Sequence, residues 1–246
     1  MNTELNNKEV LNAIFNKLKG YYGDISRRLA FYGPSWWPAD EVVEIMVGAI
    51  LTQNTNWRNV EKALTNFNNN LTPYFILEAS HEELIAIIRP SGFYNQKADR
   101  LKALMQWFST YNFDVALLAE KQKDEIRNEL LAIKGIGKET ADSILVYALG
   151  KTSFVIDAYT RRIFSRVGIV VPKEYDEFQE LLEKTLPMEI AIYDHYHGLI
   201  VEHAKRFCTK KPMCEGCPLN NQKATDISLK NNTFVENYYP CGNFSQ

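Results

Sequence analysis

The sequence predicts an all-α protein built as two helical lobes with a cleft. Apolar residues recur at three-and-four spacing in almost every segment, as in DEVVEIMVGAILTQ and QKADRLKALMQWF. The breaks between these segments are short, and only TSFVI, at residues 152–156, is strand-like. The chain has 246 residues, of which 46% are hydrophobic, so it is long enough to bury a sizeable core.

Two domains are predicted from the order of these segments. A central helical barrel domain spans residues 40–150 and contains the KGIG turn. A second helical domain combines residues 1–39 with residues 151–246. The helical pattern continues through NWRNVEKALTNF, HEELIAII, KDEIRNELLAI, KETADSILVYAL and EIAIYDHYHGLIVEHAKRF, and the stretch from residue 220 onward is polar and irregular.

Composition excludes some classes of protein. No run of about 18 apolar residues is present, and the N-terminal stretch lacks the apolar core of a secretory signal, so we expect a cytoplasmic protein with no membrane contact. In a bacterium it would be nucleoid-associated. The net charge of −2 does not by itself indicate a nucleic-acid partner. Basic residues cluster at Arg161, Arg162 and Arg166 and at Lys205, Arg206, Lys210 and Lys211, where they could equally be solvated helix faces.

The segment KGIGKETA predicts a tight turn between two helices. Gly135 can adopt positive φ and end the first helix, and Ile136 can fill the gap between the helices. Gly137 permits close approach of another backbone, and the next helix begins near Lys138. The free N–H groups of that helix start suit an anion such as phosphate. A plain helix–turn–helix connection is the alternative.

The surroundings of this turn carry a family resemblance. LLAIKGIGKETADSILVYALG followed by FVIDAYTRRIFSRVG resembles the helix-hairpin-helix and Gly/Pro–Asp signature of the endonuclease III superfamily of DNA glycosylases. GAILTQNT, SGFYNQKADRL and KRFCTKKPMCEGCPL are similar to further family segments, so the resemblance covers roughly residues 30–220. It implies a DNA-binding cleft and, as partner, double-stranded DNA containing a damaged base. We expect the protein to be a monomer.

Asp157 follows the apolar FVI and precedes a helix, so it could simply cap that helix. The resemblance makes it the catalytic aspartate. Hydrolysis of an N-glycosidic bond builds positive charge on the sugar. A carboxylate beside the anomeric carbon can stabilise that charge and orient or deprotonate water.

Bifunctional members of the family use a lysine nucleophile two residues after the second hairpin glycine, where this chain has Glu139. Lys138 is adjacent, but one residue along a helix is a rotation of about 100°. The sequence therefore predicts a monofunctional enzyme. Glu139 is either an acid favoured at a helix start or a pocket residue.

Tryptophans in SWWP and QNTNW are each more often core residues than site residues. Taken together with KGIGKE and HGLIVEHAK, however, these two segments resemble the 3-methyladenine DNA glycosylase III branch of the family. That resemblance assigns the base pocket to Trp36, Trp37, Pro38 and Trp57. Trp57 occupies a position that can be phenylalanine in that branch. The resemblance also assigns a catalytic role to Lys205. Aromatic faces hold extruded bases by stacking, and they favour the cationic rings of alkylated bases.

Two residues are candidates for contacts inside the duplex. Gln53 matches the family residue that fills the gap left by the extruded base, where its amide can bond to the orphaned base. Phe93 could intercalate from the other side. The alternatives are a polar residue at a helix C-terminus for Gln53 and a core position for Phe93.

The late cysteines suggest metal more than disulfides. Cys208, Cys214 and Cys217 follow C-x5-C-x2-C, one residue shorter than the first interval of the family's iron–sulfur loop. Lys223 stands at the expected fourth position, and Cys241 could supply the fourth thiolate only if the tail folds back. A structural [4Fe-4S] cluster, a zinc ion and a loop without metal all remain open. Catalysis needs no cofactor on this interpretation.

Three functions follow from these residues. The first is a base-excision-repair glycosylase, monofunctional, that flips out alkylated purines such as 3-methyladenine and hydrolyses the N-glycosidic bond. The second is an endonuclease III-like glycosylase for oxidised or mismatched bases, with or without lyase activity. The third is a DNA-binding module without catalysis, which the presence of Asp157 disfavours.

Overall fold

The computed structural model describes residues 2–30, 33–39 and 41–220. The chain divides into two compact units. The terminal unit combines Met1–Ser26 with Phe154–Gln246, and the central unit is Arg27–Ser153. The domain bounds given from the sequence, residues 40–150 against residues 1–39 with 151–246, stay a prediction.

The described part of the terminal unit is helical. Its elements are α1 (Asn2–Tyr22), α10 (Ala158–Arg166), α11 (Tyr175–Thr185) and α12 (Ile190–Arg206). The longest, α1 and α12, pack against each other, and α10 packs on α12. Tyr196 of α12 is fully buried in this core, where its hydroxyl donates to the Leu11 carbonyl of α1 at 2.9 Å. Each such buried aromatic contributes about 1.5–3 kcal/mol.

The central unit holds the remaining elements. They are β1 (Arg28–Ala30), β2 (Gly33–Ser35), α2 (Val42–Leu51), α3 (Trp57–Thr65), α4 (Pro73–Glu78), α5 (His81–Ile88), a 3₁₀ turn (Arg89–Ser91), α6 (Tyr94–Ser109), α7 (Val115–Ala119), α8 (Lys123–Ala132), α9 (Lys138–Ser143) and a π-helical turn (Ile144–Ala148). Seven consecutive residues of α2, from Ile45 to Leu51, are buried. This explains why its sequence is apolar on every face.

The helical class is confirmed, with two local corrections. Residues 152–156 form no strand, because side chains take their backbone bonds. Glu183 accepts from the Phe154 N–H, Tyr175 accepts from the Ile156 N–H, and Gln179 donates to the Phe154 carbonyl. The second correction is an antiparallel ribbon in which β1 pairs with β2. No helix among the described residues is long and apolar enough to cross a membrane.

A buried carboxylate fixes the hairpin helices. Asp142 of α9 is fully buried, and its Oδ1 accepts from Arg127 Nε of α8 at 2.8 Å and from Ser153 Oγ at 2.9 Å. Its Oδ2 accepts from Arg127 Nη2 at 3.1 Å. Because an uncompensated buried charge is costly, these bonds hold α8, α9 and the end of the unit together.

We expect Arg127→Met to lower the free energy of unfolding by about 3 kcal/mol, because it leaves the Asp142 charge buried without its partner. Denaturant titration followed by circular dichroism measures this. The control is Lys184→Met, which removes an exposed i,i+4 pair with Glu180 and should cost less than about 0.5 kcal/mol. Equal losses in the two variants would contradict the role given to Asp142.

Candidate active site

The hairpin between α8 and α9 has the local geometry that its sequence predicts. Gly135 adopts a φ of +90°, and a side chain there would collide with Arg100. Ile136 is 5% exposed and fills the turn. Gly137 caps α9 in an extended conformation, and a Cβ at this position would meet nothing within 4 Å. The protein itself therefore does not require glycine at Gly137, which leaves open space beside the exposed turn.

Two charged residues begin the second hairpin helix. Lys138 is half-buried and Glu139 is exposed in the first turn of α9. The Glu139 carbonyl accepts from Ser143 Oγ at 2.8 Å. An acid in this turn is favoured by the helix dipole, and a carboxylate offers no amine for Schiff-base chemistry.

Gln53 is bound to the hairpin. It lies just after α2, and its Nε2 donates to the Gly135 carbonyl at 3.2 Å and to Thr140 Oγ1 at 2.9 Å. Its Oε1 accepts from Arg100 Nη1. The loop that follows α2 and the hairpin are therefore joined through one amide within the central unit.

Phe93 is 60% exposed, which excludes the alternative of a core position. It has a φ of +47° and is the residue before α6. A bulky residue in the left-handed region is held there at a conformational cost. The structure thus maintains an exposed aromatic ring in a strained position at the start of α6.

The tryptophans form one aromatic cluster with Tyr147. Trp37 is 5% exposed and stacks on Tyr147 of the π-helical turn, with ring centroids 4.6 Å apart. Trp36 stacks on Trp37 at 6.0 Å, and Trp57 meets Trp37 edge-on at 5.6 Å. Trp37 is therefore the centre of the cluster, while Trp36 and Trp57 are half-buried.

The edges of this cluster are only partly covered by the rest of the protein. Trp57 Nε1 is buried without a hydrogen-bond partner among the described residues. Pro38, which follows the paired tryptophans, is half-buried. A Cβ on Gly48 would lie 3.4 Å from the Trp57 ring, so this glycine of α2 gives the indole its room. The cluster can offer parts of Trp36, Pro38 and Trp57 to a planar ring.

Asp157 caps α10, as its position in the sequence predicts. Its Oδ1 accepts from the Thr160 N–H at 2.6 Å and from Thr160 Oγ1 at 2.7 Å. Its Oδ2 lies 3.5 Å from His197 Nε2 of α12, and both side chains are largely buried. Burial by itself raises the pKa of Asp157, but the neighbouring His197 and the bonds from Thr160 outweigh burial and hold the pKa below its usual value.

Lys205 lies in the last turn of α12 and is exposed. The terminal unit thus contains Asp157, Lys205 and the described cysteines. The central unit contains the hairpin, Gln53, Phe93 and the aromatic cluster. Within the central unit, Gln53 is bonded to the hairpin.

The cysteine loop is held by side chains of the terminal unit. Arg166 Nη1 donates to Cys208 Sγ at 3.2 Å and to the Thr209 carbonyl at 2.6 Å, and Arg162 Nε donates to the Cys208 carbonyl. Cys217 Sγ lies 3.6 Å from His203 Nε2. Burial lowers the pKa of His203 to about 4.

The described cysteines do not fit a metal site by themselves. Cys208, Cys214 and Cys217 are free thiols, and no three metal-ligating side chains converge anywhere in residues 2–30, 33–39 and 41–220. Cys241 and Lys223 lie outside these ranges. A cubane cluster needs four converging thiolates, so a metal role for Cys208, Cys214, Cys217 and Cys241 stays a prediction.

Sequence reasoning missed the partners of the predicted residues. These partners are Arg100 beside Gln53, Tyr147 under Trp37, and His197 beside Asp157. His197 belongs to the HYHG stretch that the helical pattern assigned only to α12. A histidine on the buried face of a helix was the available signal, since such a residue needs a polar partner.

Comparisons with known proteins agree on one family. A family model described as HhH-GPD superfamily base excision DNA repair protein matches residues 47–188. A protein of Methanocaldococcus jannaschii, provisionally named a DNA repair glycosylase, is 48% identical over 210 residues, covering 83% of this chain and 96% of that protein. Endonuclease III of Thermotoga maritima is 31% identical over 182 residues, covering 72% and 80% of the respective chains.

Solved structures give the same result. The 3-methyladenine DNA glycosylase of H. pylori, solved with bound 1,N6-ethenoadenine, matches with a TM-score of 0.68 and 31% identity. The match covers 82% of this chain and 98% of that chain. An endonuclease III–DNA complex matches with a TM-score of 0.70 at 22% identity over 86% of this chain and 92% of that chain, which supports the fold alone.

A structural [4Fe-4S] cluster on Cys208, Cys214, Cys217 and Cys241 should give stoichiometric iron and the visible absorption of an iron–sulfur cluster, because a cubane needs four thiolates. Iron analysis and absorption spectroscopy after anaerobic reconstitution with iron and sulfide test this. Iron that is lost in Cys241→Ser would make Cys241 the fourth ligand, whereas iron that stays sub-stoichiometric after reconstitution would contradict the predicted cluster.

Proposed function

Since this chain belongs to the HhH-GPD superfamily of base excision DNA repair proteins, we propose that it is a monofunctional glycosylase for alkylated purines, 3-methyladenine foremost. It is a DNA repair glycosylase by its family and by its 48% identical relative. The finer assignment rests on named side chains, of which the buried carboxylate of Asp157 carries the most weight.

The geometry of Asp157 suits charge stabilisation. Two acceptor positions of its carboxylate are occupied by Thr160, and His197 Nε2 lies 3.5 Å from the other oxygen. Its lowered pKa keeps it charged at neutral pH. A fixed, charged and largely desolvated carboxylate stabilises the positive sugar of the transition state strongly, because it needs no reorganisation. In this mechanism it also orients the attacking water.

The monofunctional assignment rests on position 139. Glu139 stands where a lysine would attack the sugar, and a carboxylate cannot form a Schiff base. Water is then the nucleophile, and the product is an abasic site with an intact strand. Alkylation at N3 already weakens the glycosidic bond, so modest assistance from Asp157 suffices.

The base pocket is proposed at the aromatic cluster. Trp36 and Trp57 are its half-buried rings, and Pro38 lies beside them. Electron-rich indole faces favour a cationic methylated purine over a neutral one. Trp37 is too buried to stack on a base, so on this proposal it supports the pocket from behind. The H. pylori glycosylase, bound to an adenine derivative and 31% identical, supports this choice of substrate class.

The proposed partner is double-stranded DNA containing a damaged base, bound by the protein as a monomer. Backbone N–H groups at Gly137 and the start of α9 would contact phosphate, with Lys138 beside them. Gln53 would fill the gap left by the extruded base, and Phe93 would intercalate. Lys205 is proposed to act beside Asp157 in catalysis, as the branch resemblance implies.

A second candidate keeps the fold and changes the base. The 31% identity to endonuclease III of T. maritima favours a glycosylase for oxidised or mismatched bases. Glu139 disfavours the lyase reaction in this case too.

The assay that separates these functions uses methylated duplex DNA, chromatography of the released bases, and strand nicking with and without alkali. We expect free 3-methyladenine and nicks that appear only after alkali treatment, because no lysine stands at position 139. Nicks without alkali on DNA with oxidised pyrimidines would instead support the second candidate.

Two variants of Asp157 separate its charge from its cap. Asp157→Asn keeps an oxygen that can accept from Thr160, so we expect an unchanged free energy of unfolding but at least about a hundredfold slower base release. Asp157→Ala should lose the activity and also about 1 kcal/mol of stability. Single-turnover base release and denaturant titration measure both. Full activity in Asp157→Asn would exclude the catalytic role.

A further inference from the structure

Lys97 is a fully buried lysine in α6. Lysine is almost never fully buried unless its charge has partners. Its Nζ donates to the Leu51 carbonyl and to the Ser91 carbonyl, each at 2.8 Å. Burial and, second, the neighbouring Arg100 lower the pKa of Lys97 to about 8. The ammonium therefore remains largely protonated at neutral pH while it bridges two backbone segments.

Both of these segments end at that bridge. Leu51 is the last residue of α2, and Ser91 is the last residue of the 3₁₀ turn. The carbonyls at a helix C-terminus lack partners within the helix and lie at the negative end of its dipole. A cation is the suitable partner for such carbonyls, and a single ammonium has enough donors for both.

The residues that follow each carbonyl are the ones proposed to enter the duplex. Gln53 comes two residues after Leu51, and Phe93 comes two residues after Ser91. Phe93 is exposed and held in the left-handed region, and Gly92 before it also has positive φ. Such a backbone conformation persists only where its surroundings fix it. The Lys97 bridge fixes the chain immediately before it.

We propose that Lys97 is a positioning residue that sets the separation between Gln53 and Phe93, so that both enter the gap left by the extruded nucleotide. Lys97 itself is buried and acts through the two carbonyls. This inference rests on the proposed function, because it assumes that Gln53 and Phe93 contact an opened duplex. It adds a residue that determines whether they do so together.

The same helix offers a matched control. Lys102 Nζ donates to the Leu77 carbonyl at 2.9 Å and to the Ala79 carbonyl at 2.6 Å, at the end of α4. It is therefore a second lysine of α6 that bonds to two carbonyls at a helix end. Neither carbonyl adjoins a residue proposed to contact DNA. Any general effect of removing such a bridge appears in Lys102→Met as well.

The experiment measures how strongly the protein prefers a duplex in which one base is already missing. Fluorescence anisotropy gives the Kd for a duplex containing a tetrahydrofuran abasic analogue and for the intact duplex, and the ratio of the two is the preference. We expect Lys97→Met to lower this preference about tenfold, since small misplacement of positioned groups costs one to two orders of magnitude. Lys102→Met should keep the wild-type preference.

A double-mutant comparison tests the route of the effect. If Lys97 acts through Phe93, the losses of preference in Lys97→Met and Phe93→Ala are not additive in the double variant. A purely structural role would instead reduce affinity for both duplexes equally. Circular dichroism checks that each variant is folded. If Lys97→Met is not folded, Lys97→Arg keeps the charge but changes the reach, and it should also lower the preference.

The outcomes separate this inference from the proposed function. A folded variant at position 97 with the wild-type preference would overturn the positioning role alone. So would an equal loss of preference in Lys102→Met. If the wild-type protein neither prefers the duplex with the abasic analogue nor releases any base, the proposed function itself is overturned, and the inference with it.

Discussion

The arrangement of the central unit depends on the buried carboxylate of Asp142. Two bonds from Arg127 and one from Ser153 compensate its charge, and no solvent reaches it. Because removing any partner would leave a charge in the core, α8 and α9 have little freedom to change their angle. The hairpin turn takes its shape from that angle. Gln53 in turn bonds to the hairpin at the Gly135 carbonyl and Thr140.

Lysines at helix ends are a second recurring constraint. Lys97, Lys102 and Lys151 each donate to two backbone carbonyls, of which at least one lies at or just after the end of α2, α4 or α7 respectively. The helices α4 and α7 have only 6 and 5 residues, too few to be stable alone. Backbone amides bind phosphate without basic side chains, so the phosphate contacts proposed at the hairpin are compatible with a net charge of −2.

The proposed chemistry divides between a rigid carboxylate and a partly rigid aromatic surface. Asp157 accepts two bonds from Thr160 on one oxygen and faces His197 with the other, so its orientation is fixed before any substrate binds. In the aromatic cluster, Trp37 supplies the fixed centre through its stack on Tyr147. Trp36 and Trp57 at the edges keep exposed area, and the proposal places the extruded base against this area.

The sequence by itself determined the helical class, the family, the left-handed Gly135 that ends α8, and Asp157 as the cap of α10. These features depend on residues close together in the chain, where periodicity and capping chemistry suffice. Only the tertiary structure decided that residues 152–156 bond to side chains, that Trp37 is buried, that His197 faces Asp157 and that Lys97 joins Leu51 to Ser91. Each of these requires positions far apart in the sequence to meet, and local patterns contain no information on which distant groups will pack together.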